Sequence, residues 1–247
     1  MNELKHSAEF HSVLENYKPS PAAMDILRQI KLVLLVGPTA SGRNTIINEL
    51  VKTGEYYHQV SDTTREIRIK DGQPIEKNGR EHWFRSEEEI LGGLRKGQYV
   101  EAAIIHNQQV AGRNIKEVSK ALDDNKIAVQ DIEPVGAQTM HDLKPDTIII
   151  FILPPSFEIW MDRLEGRGGV PTDELLRRLV SARAELRAAL DHDYYHFVIN
   201  DKVENAVSEI NAIVQLGQVD HEKQRRGREL AQKLKLVTVE HLENLEK

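Results

Sequence analysis

There is no cysteine anywhere in the chain. That removes disulfides, thiolate metal sites and cysteine nucleophiles together, and it fits a reducing cytoplasm. No apolar run approaches the ~20 residues that a membrane helix needs. The opening MNELKHSAEFHSVLENYK is polar throughout and does not read as a secretory signal. The expected location is therefore the cytoplasm, with no membrane partner. An excess of positive charge is also missing. The formal net charge is −6, so no global field draws nucleic acid to the surface. Internal repeats are absent. What is present is an ordinary globular composition, 40% hydrophobic and 29% charged over 247 residues. That length holds one large domain with extensions, or two small ones.

Three regions follow from the pattern. Residues 1–30 form an N-terminal extension in which KPSPAAMDILRQI predicts a short helix, with Ser20 as N-cap and Pro21 at the first helical position. Residues 31–215 alternate strands with helices. The near-continuous apolar runs at 31–37, 126–133 and 146–153 suit strands buried on both faces of a parallel sheet, and 195–201 suits a fourth. Helical patterns fall at 43–52, 113–124, 156–166, 173–190 and 203–214. This alternation predicts an α/β fold with helices on both faces of the sheet. Residues 56–110 are less regular and read as a small, partly antiparallel insertion. Residues 216–247 read as a charged terminal helix.

LLVGPTASGRNTI, residues 34–46, is the first chemical signal. A strand that turns into a helix through glycines presents backbone N–H groups and a positive helix end to an anion. The common phosphate loop is G-x-x-x-x-G-K-[ST]. Gly37 and Gly42 keep that spacing, with Pro38, Thr39, Ala40 and Ser41 between them. Arg43 replaces the lysine and Asn44 the magnesium-binding hydroxyl, while Thr45 stands one position late. Arginine keeps the charge in a forked, bidentate form. Asn44 offers magnesium a weaker oxygen. Taken alone, the stretch reads equally well as a ligand-free turn.

Further blocks change that balance. VSDTTREIR (60–68) is similar to the V-S-x-T-T-R-x-x-R segment of guanylate kinases. NGREHWF (78–84) resembles their N-G-x-D-Y-x-F, and GQYVE (97–101) their G-x-F/Y-x-E. VQDIEPVGA (129–137) and FILPPSFEIWMDRLEGRG (151–168) resemble later blocks, continued by ELLRRL (174–179) and HFVIND (196–201). Seven blocks in order cover about 31–215, which is far more specific than any one of them.

The resemblance implies a P-loop NTPase fold: a three-layer α/β/α core with a parallel sheet, a GMP-binding insertion at about 58–112 and a helical lid at about 160–190. It implies ATP-dependent phosphorylation of GMP to GDP with Mg²⁺. By matching position, Ser61, Arg65 and Arg68 would hold the GMP phosphate, and Glu101 would read the guanine N1–H and 2-amino group. Asp131 and Glu133 would lie near magnesium or guanine. Arg163, Arg167 and Arg178 would close over the phosphates, with Arg43 beside them, and Asn200 would border the adenine. Asn44 and Asp131 are the magnesium candidates.

Several departures qualify this. His82 replaces a tyrosine of the family, Val110 stands where a phosphate-binding tyrosine is expected, and Gly112 where a hydroxyl residue is expected. Two other readings remain open at this point: a catalytically weak or inactive guanylate-kinase-like binding module, and a kinase of the same fold with another phosphate acceptor. Individually, Arg65, Arg68 and Glu101 could be surface charges, and Arg163 and Arg167 could pair with Glu165. His82 and His106 lack partners at metal-ligand spacing, and Trp83 and Phe84 read as core. Leucines at 230, 234, 236, 242 and 245 stripe the terminal segment. They suit a solvated helix or one that packs in a homodimer, while the basic segment at 221–237 is the sharper candidate for an RNA or acidic partner.

Overall fold

Ser20 opens the chain's second helix as expected. Its hydroxyl accepts a hydrogen bond from the Ala23 amide at 3.2 Å, and Pro21 takes the first helical position, where its missing N–H costs nothing. That helix, α2 (Pro21–Gln29), follows a helix the sequence did not announce, α1 (Ser7–Glu15). The computed structural model describes residues 4–70, 72–105, 107–166 and 170–245.

β1 (Leu32–Val36) is LVLLV, buried at every position, and leads into α3 (Arg43–Lys52). Short strands follow: β2 (Tyr56–His58), β3 (Asp62–Thr63), β4 (Ile69–Lys70), β5 (Gln73–Pro74) and β6 (Trp83–Phe84). α4 (Glu87–Arg95) opens on a complete capping box, in which Ser86 and Glu89 satisfy each other's backbone N–H groups. β7 (Tyr99–Ile105) and β8 (Gln109–Asn114) make a hairpin, and α5 (Ile115–Asp123) follows. Next come β9 (Ile127–Asp131), α6 (Pro134–Leu143), β10 (Ile148–Leu153), α7 (Phe157–Glu165) and α8 (Thr172–Asp191). β11 (Tyr195–Ile199), α9 (Val203–Leu216) and α10 (His221–Leu245) complete the chain.

The chain divides into two compact units. Unit 2 comprises Leu32–Glu55, Val129–Gln138 and Asp146–Lys247. Its strands run in the order β11-β10-β1-β9. β10 pairs in parallel with both β1 and β11. The apolar runs that define these strands are the core, as two-sided burial requires. Unit 1 comprises Met1–Lys31, Tyr56–Ala128 and Thr139–Pro145. Its sheet runs β6-β3-β8-β7, with β8 antiparallel to both neighbours. The expected antiparallel insertion is therefore present, and residues 4–31 belong to the same unit as it does.

The leucine stripe of α10 is used within the chain. Ala231, Leu234, Thr238 and Leu242 are buried, and Leu242 joins Trp160, Leu164, Leu179 and Ala182 in one cluster. Leu236 and Leu245 of the stripe remain exposed, at 61% and 37%, so it is covered only in part. The basic run is largely neutralised. Arg225 pairs with Glu222 and Glu229, Arg226 with Glu222, and Lys223 with Glu209, while Arg228 donates to the Leu190 carbonyl. No helix among the described residues is long and apolar enough to cross a membrane.

Candidate active site

In unit 2 the turn from β1 to α3 carries the phosphate-loop signature. Gly42 is the N-cap of α3 at φ +101°, a conformation that L side chains rarely adopt. A Cβ there would lie 2.1 Å from Asn200 Nδ2. Ala40 takes the left-handed region at φ +67°, which costs a non-glycine residue about 1 kcal/mol. Three contacts hold the turn. Trp160 Nε1 donates to the Thr39 carbonyl at 2.8 Å, the Ser41 amide to the Pro38 carbonyl at 3.0 Å, and Asn200 Nδ2 to the Ser41 carbonyl at 2.7 Å. Arg163 Nη2 in turn donates to the Asn200 carbonyl at 3.0 Å. Asn200 thus fastens the loop through Nδ2 while its buried Oδ1 has no hydrogen-bond partner among the described residues, and Arg163 pairs with backbone, not with Glu165. Arg178 is engaged by Glu174 at 2.9 Å. Arg167 lies outside the described residues, as does His106.

Arg43, the first residue of α3, is half-buried. No hydrogen bond or ion pair holds its guanidinium among the described residues. Asn44 and Thr45 beside it are exposed. A positive group with no partner at a helix N-terminus suits an anion. Asp131 ends β9 half-buried, with no hydrogen-bond partner among the described residues. The described residues hold no group of three or more His, Cys, Asp or Glu able to cage a metal ion. Magnesium held mainly by substrate phosphates needs only one or two protein oxygens, so Asn44 and Asp131 fit that mode.

The sequence reading missed Glu185 on α8. It is 8% exposed and its Oε2 has no hydrogen-bond partner. Burial pushes its carboxyl up to about 8, with Glu133 acting in the same direction and Arg43 against it. The signal was present, because Glu185 interrupts the buried face formed by Leu179, Ala182, Leu186 and Ala189.

Unit 1 carries the other expected group. Ser61 Oγ lies 3.1 Å from His82 Nδ1, so the residue that replaces tyrosine keeps a polar contact there. Arg65 makes two hydrogen bonds to Glu76, at 2.7 and 2.8 Å, while Arg68 stays exposed and donates its backbone N–H to the same carboxylate. Glu76, also missed from sequence, is 7% exposed at its side chain. The Arg65 hydrogen bonds hold its carboxyl down at about 2. Glu76→Gln should cost about 2–3 kcal/mol at pH 7, because it strips a half-buried arginine of its partner. A depressed carboxyl stabilises above its ordinary 4.5 and loses that stabilisation as pH falls towards 2. Urea unfolding at pH 7 and pH 3 should therefore show the variant's deficit shrinking in acid.

Glu101 stands on β7 in register with Arg113 on β8, 3.8 Å from it, with side chains 14% and 1% exposed. Burial raises the Glu101 carboxyl and Arg113 opposes the shift. Trp83, expected as core, is half-buried and donates through Nε1 to Glu117 at 2.7 Å, and Phe84 is half-buried too. Val110 is fully buried in a cluster with Phe10, Ile90 and Tyr99, which explains why no phosphate-binding side chain projects from it. At Gly112 a Cβ would lie 2.8 Å from Ala102 Cβ and 2.9 Å from the Tyr99 ring. The expected hydroxyl side chain has no room there. The polar side chain opposite Glu101 is the next residue, Arg113. Asp131 and Glu133, expected in part near the acceptor base, belong to unit 2.

Known proteins are similar to this chain over most of its length. The family profile described as guanylate kinase matches residues 29–216. A guanylate kinase from Corynebacterium diphtheriae is 38% identical over 186 residues, covering 74% of this chain and 94% of the relative. One from Corynebacterium efficiens is 35% identical with the same coverage. The crystal structure of guanylate kinase from Anaplasma phagocytophilum superposes with a TM-score of 0.56 at 25% identity, over 78% of this chain and 88% of that one. This chain belongs to the guanylate kinase family.

Proposed function

We propose that the protein transfers the γ-phosphoryl group of ATP to GMP, giving ADP and GDP. The observation that carries the acceptor assignment is Glu101, a carboxylate 14% exposed and backed by Arg113 across paired strands. An ionised carboxylate only accepts hydrogen bonds. It suits the N1–H and 2-amino donors of guanine, whereas adenine has an acceptor at N1 and no 2-amino group. Burial raises the Glu101 carboxyl, and the Arg113 charge opposes that shift, favouring the ionised form. Ser61, Arg65 and Arg68 hold the acceptor phosphate, with His82 supporting Ser61. Charge-assisted, bidentate contacts of this type are the strong ones.

Unit 2 serves the donor. The backbone N–H groups of residues 39–45 other than Ser41, whose N–H is given to the Pro38 carbonyl, and the guanidinium of Arg43 bind the ATP phosphates. Arg163 and Arg178, with Arg167, neutralise charge that spreads over the transferring group. Mg²⁺, when bound, would supply positive charge against the phosphates during transfer. Asn44 and Asp131 would supply its protein oxygens. Catalysis is positioning plus electrostatics, with no covalent intermediate on the protein.

An ADP-release assay with ATP and Mg²⁺ over GMP, AMP, UMP and CMP tests this. GMP should be the preferred acceptor. Glu101→Ala should lower kcat/KM for GMP by about a thousandfold, since a site built on hydrogen bonds loses heavily when one side is removed. Glu101→Gln, which keeps one oxygen acceptor for the base, should lose less. No turnover with GMP binding intact by calorimetry would instead favour the binding-module reading.

A further inference from the structure

The family span starts at residue 29, yet residues ahead of it are built into unit 1. Phe10 is fully buried and Leu4 is 6% exposed, in one cluster with Ile90, Leu91, Leu94, Tyr99 and Val110. Tyr17 does something more specific. Its hydroxyl donates to the Tyr99 carbonyl at 2.6 Å and accepts from the Tyr99 amide at 3.0 Å. One hydroxyl thus satisfies both backbone groups of one residue.

Tyr99 begins β7, the edge strand of its sheet. An edge strand leaves backbone N–H and C=O groups unpaired on its outer side, and these must be covered. The register also shifts between Tyr99 and Glu101: Tyr99 pairs with Asn114, and Glu101 with Arg113. A bulge of this kind re-aims the side chain that follows it. The Tyr99 side chain is fixed as well, donating to Asp62 Oδ2 at 2.6 Å. The residue at one end of the bulge is therefore held on backbone and side chain alike, and Glu101 is at the other end.

We propose that Tyr17 is a positioning residue for the acceptor base, fixing the bulge that aims Glu101, so that the segment ahead of the family span is part of the acceptor site. This rests on the reading of Glu101 as the guanine-binding group. Tyr17→Phe keeps the ring and removes the hydroxyl. The expected result is a KM for GMP raised about tenfold, with kcat and the KM for ATP within about twofold. Amide exchange at Tyr99–Ala102 should accelerate by a similar factor.

Glu9→Gln is the companion. It weakens the contacts of Glu9 on α1 with Arg95 and His6 without touching Tyr99, and should leave the KM for GMP unchanged. Equal rises in the KM for GMP in both variants would overturn the proposal, because any loosening of α1 would then suffice. Unchanged exchange in Tyr17→Phe would overturn it, as would faster exchange with an unchanged KM for GMP. If the wild-type protein does not phosphorylate GMP, the functional reading fails by itself, and the exchange comparison still decides the clamp.

Discussion

Arg43→Ala should lower kcat/KM for ATP by about a hundredfold to a thousandfold while leaving the KM for GMP within about twofold. Removing one fixed donor from a site that stabilises transferring charge costs this much in other enzymes. The case for Arg43 rests on what surrounds it. It opens α3 directly after a left-handed glycine, it is half-buried, and no hydrogen bond or salt bridge among the described residues holds it, Glu185 feeling only its charge. A surface arginine would be expected to find a carboxylate or full solvent. Because no hydrogen bond or ion pair is lost, the variant's stability at pH 5, where Glu185 carries its proton, should change by no more than about 0.5 kcal/mol. A large loss of stability would reassign Arg43 to the fold. Arg43→Lys should cost about tenfold, because a point charge replaces a planar fork. Asn44→Ser should in turn recover part of the loss by supplying a hydroxyl oxygen to magnesium. Equal activity for Arg43→Lys and the wild type would mean that only the charge matters.

Glu185→Gln should leave stability nearly unchanged at pH 5 and raise it by on the order of 2–4 kcal/mol at pH 9. Burial raises the Glu185 carboxyl from 4.5 to about 8. A group whose folded value lies above its unfolded value contributes fully below the unfolded value. Its contribution fades as pH rises through the folded one. Between pH 4.5 and about 8 the wild type therefore loses stabilisation that a neutral amide never had. For a protein of this size the gain corresponds to roughly 5–10 °C in Tm. Thermal unfolding at both pH values reads it directly, and parallel shifts at pH 5 and pH 9 would show that ionisation is not the cause. Arg43 enters here too. It lowers the Glu185 carboxyl, so Arg43→Ala should raise that carboxyl further and extend the loss of stability to higher pH.

The core strands of unit 2 were legible because burial on both faces writes itself as uninterrupted apolar runs. LVLLV and IIIFIL are strands within two residues of expectation. α3 was legible for the opposite reason, a glycine turn that must precede it. α1 and α6 were not foreseen. Residues 7–15 bury only Phe10, so their apolar stripe is too thin to see. α4 could have been found from Ser86 and Glu89 alone. The candidate site divides in the same way. Arg43, Arg65 and Glu101 stand in blocks whose order identifies them. Glu76, Arg113, Glu185 and Tyr17 act through partners far away in sequence, and no local pattern names such partners. Arg113 shows the limit most sharply. Its role follows from register with Glu101, and register was not readable before the bulge between Tyr99 and Glu101 was known.

Phosphorus NMR of the purified wild-type protein with ATP, GMP and Mg²⁺ tests the central claim most directly, because it identifies the product as well as the rate. The expected result is a β-phosphate signal of GDP that grows in step with ADP, and no inorganic phosphate beyond the enzyme-free control. ADP accompanied by free phosphate and no GDP would make the protein a hydrolase. An unchanged spectrum from a folded protein that binds both nucleotides would contradict phosphoryl transfer altogether.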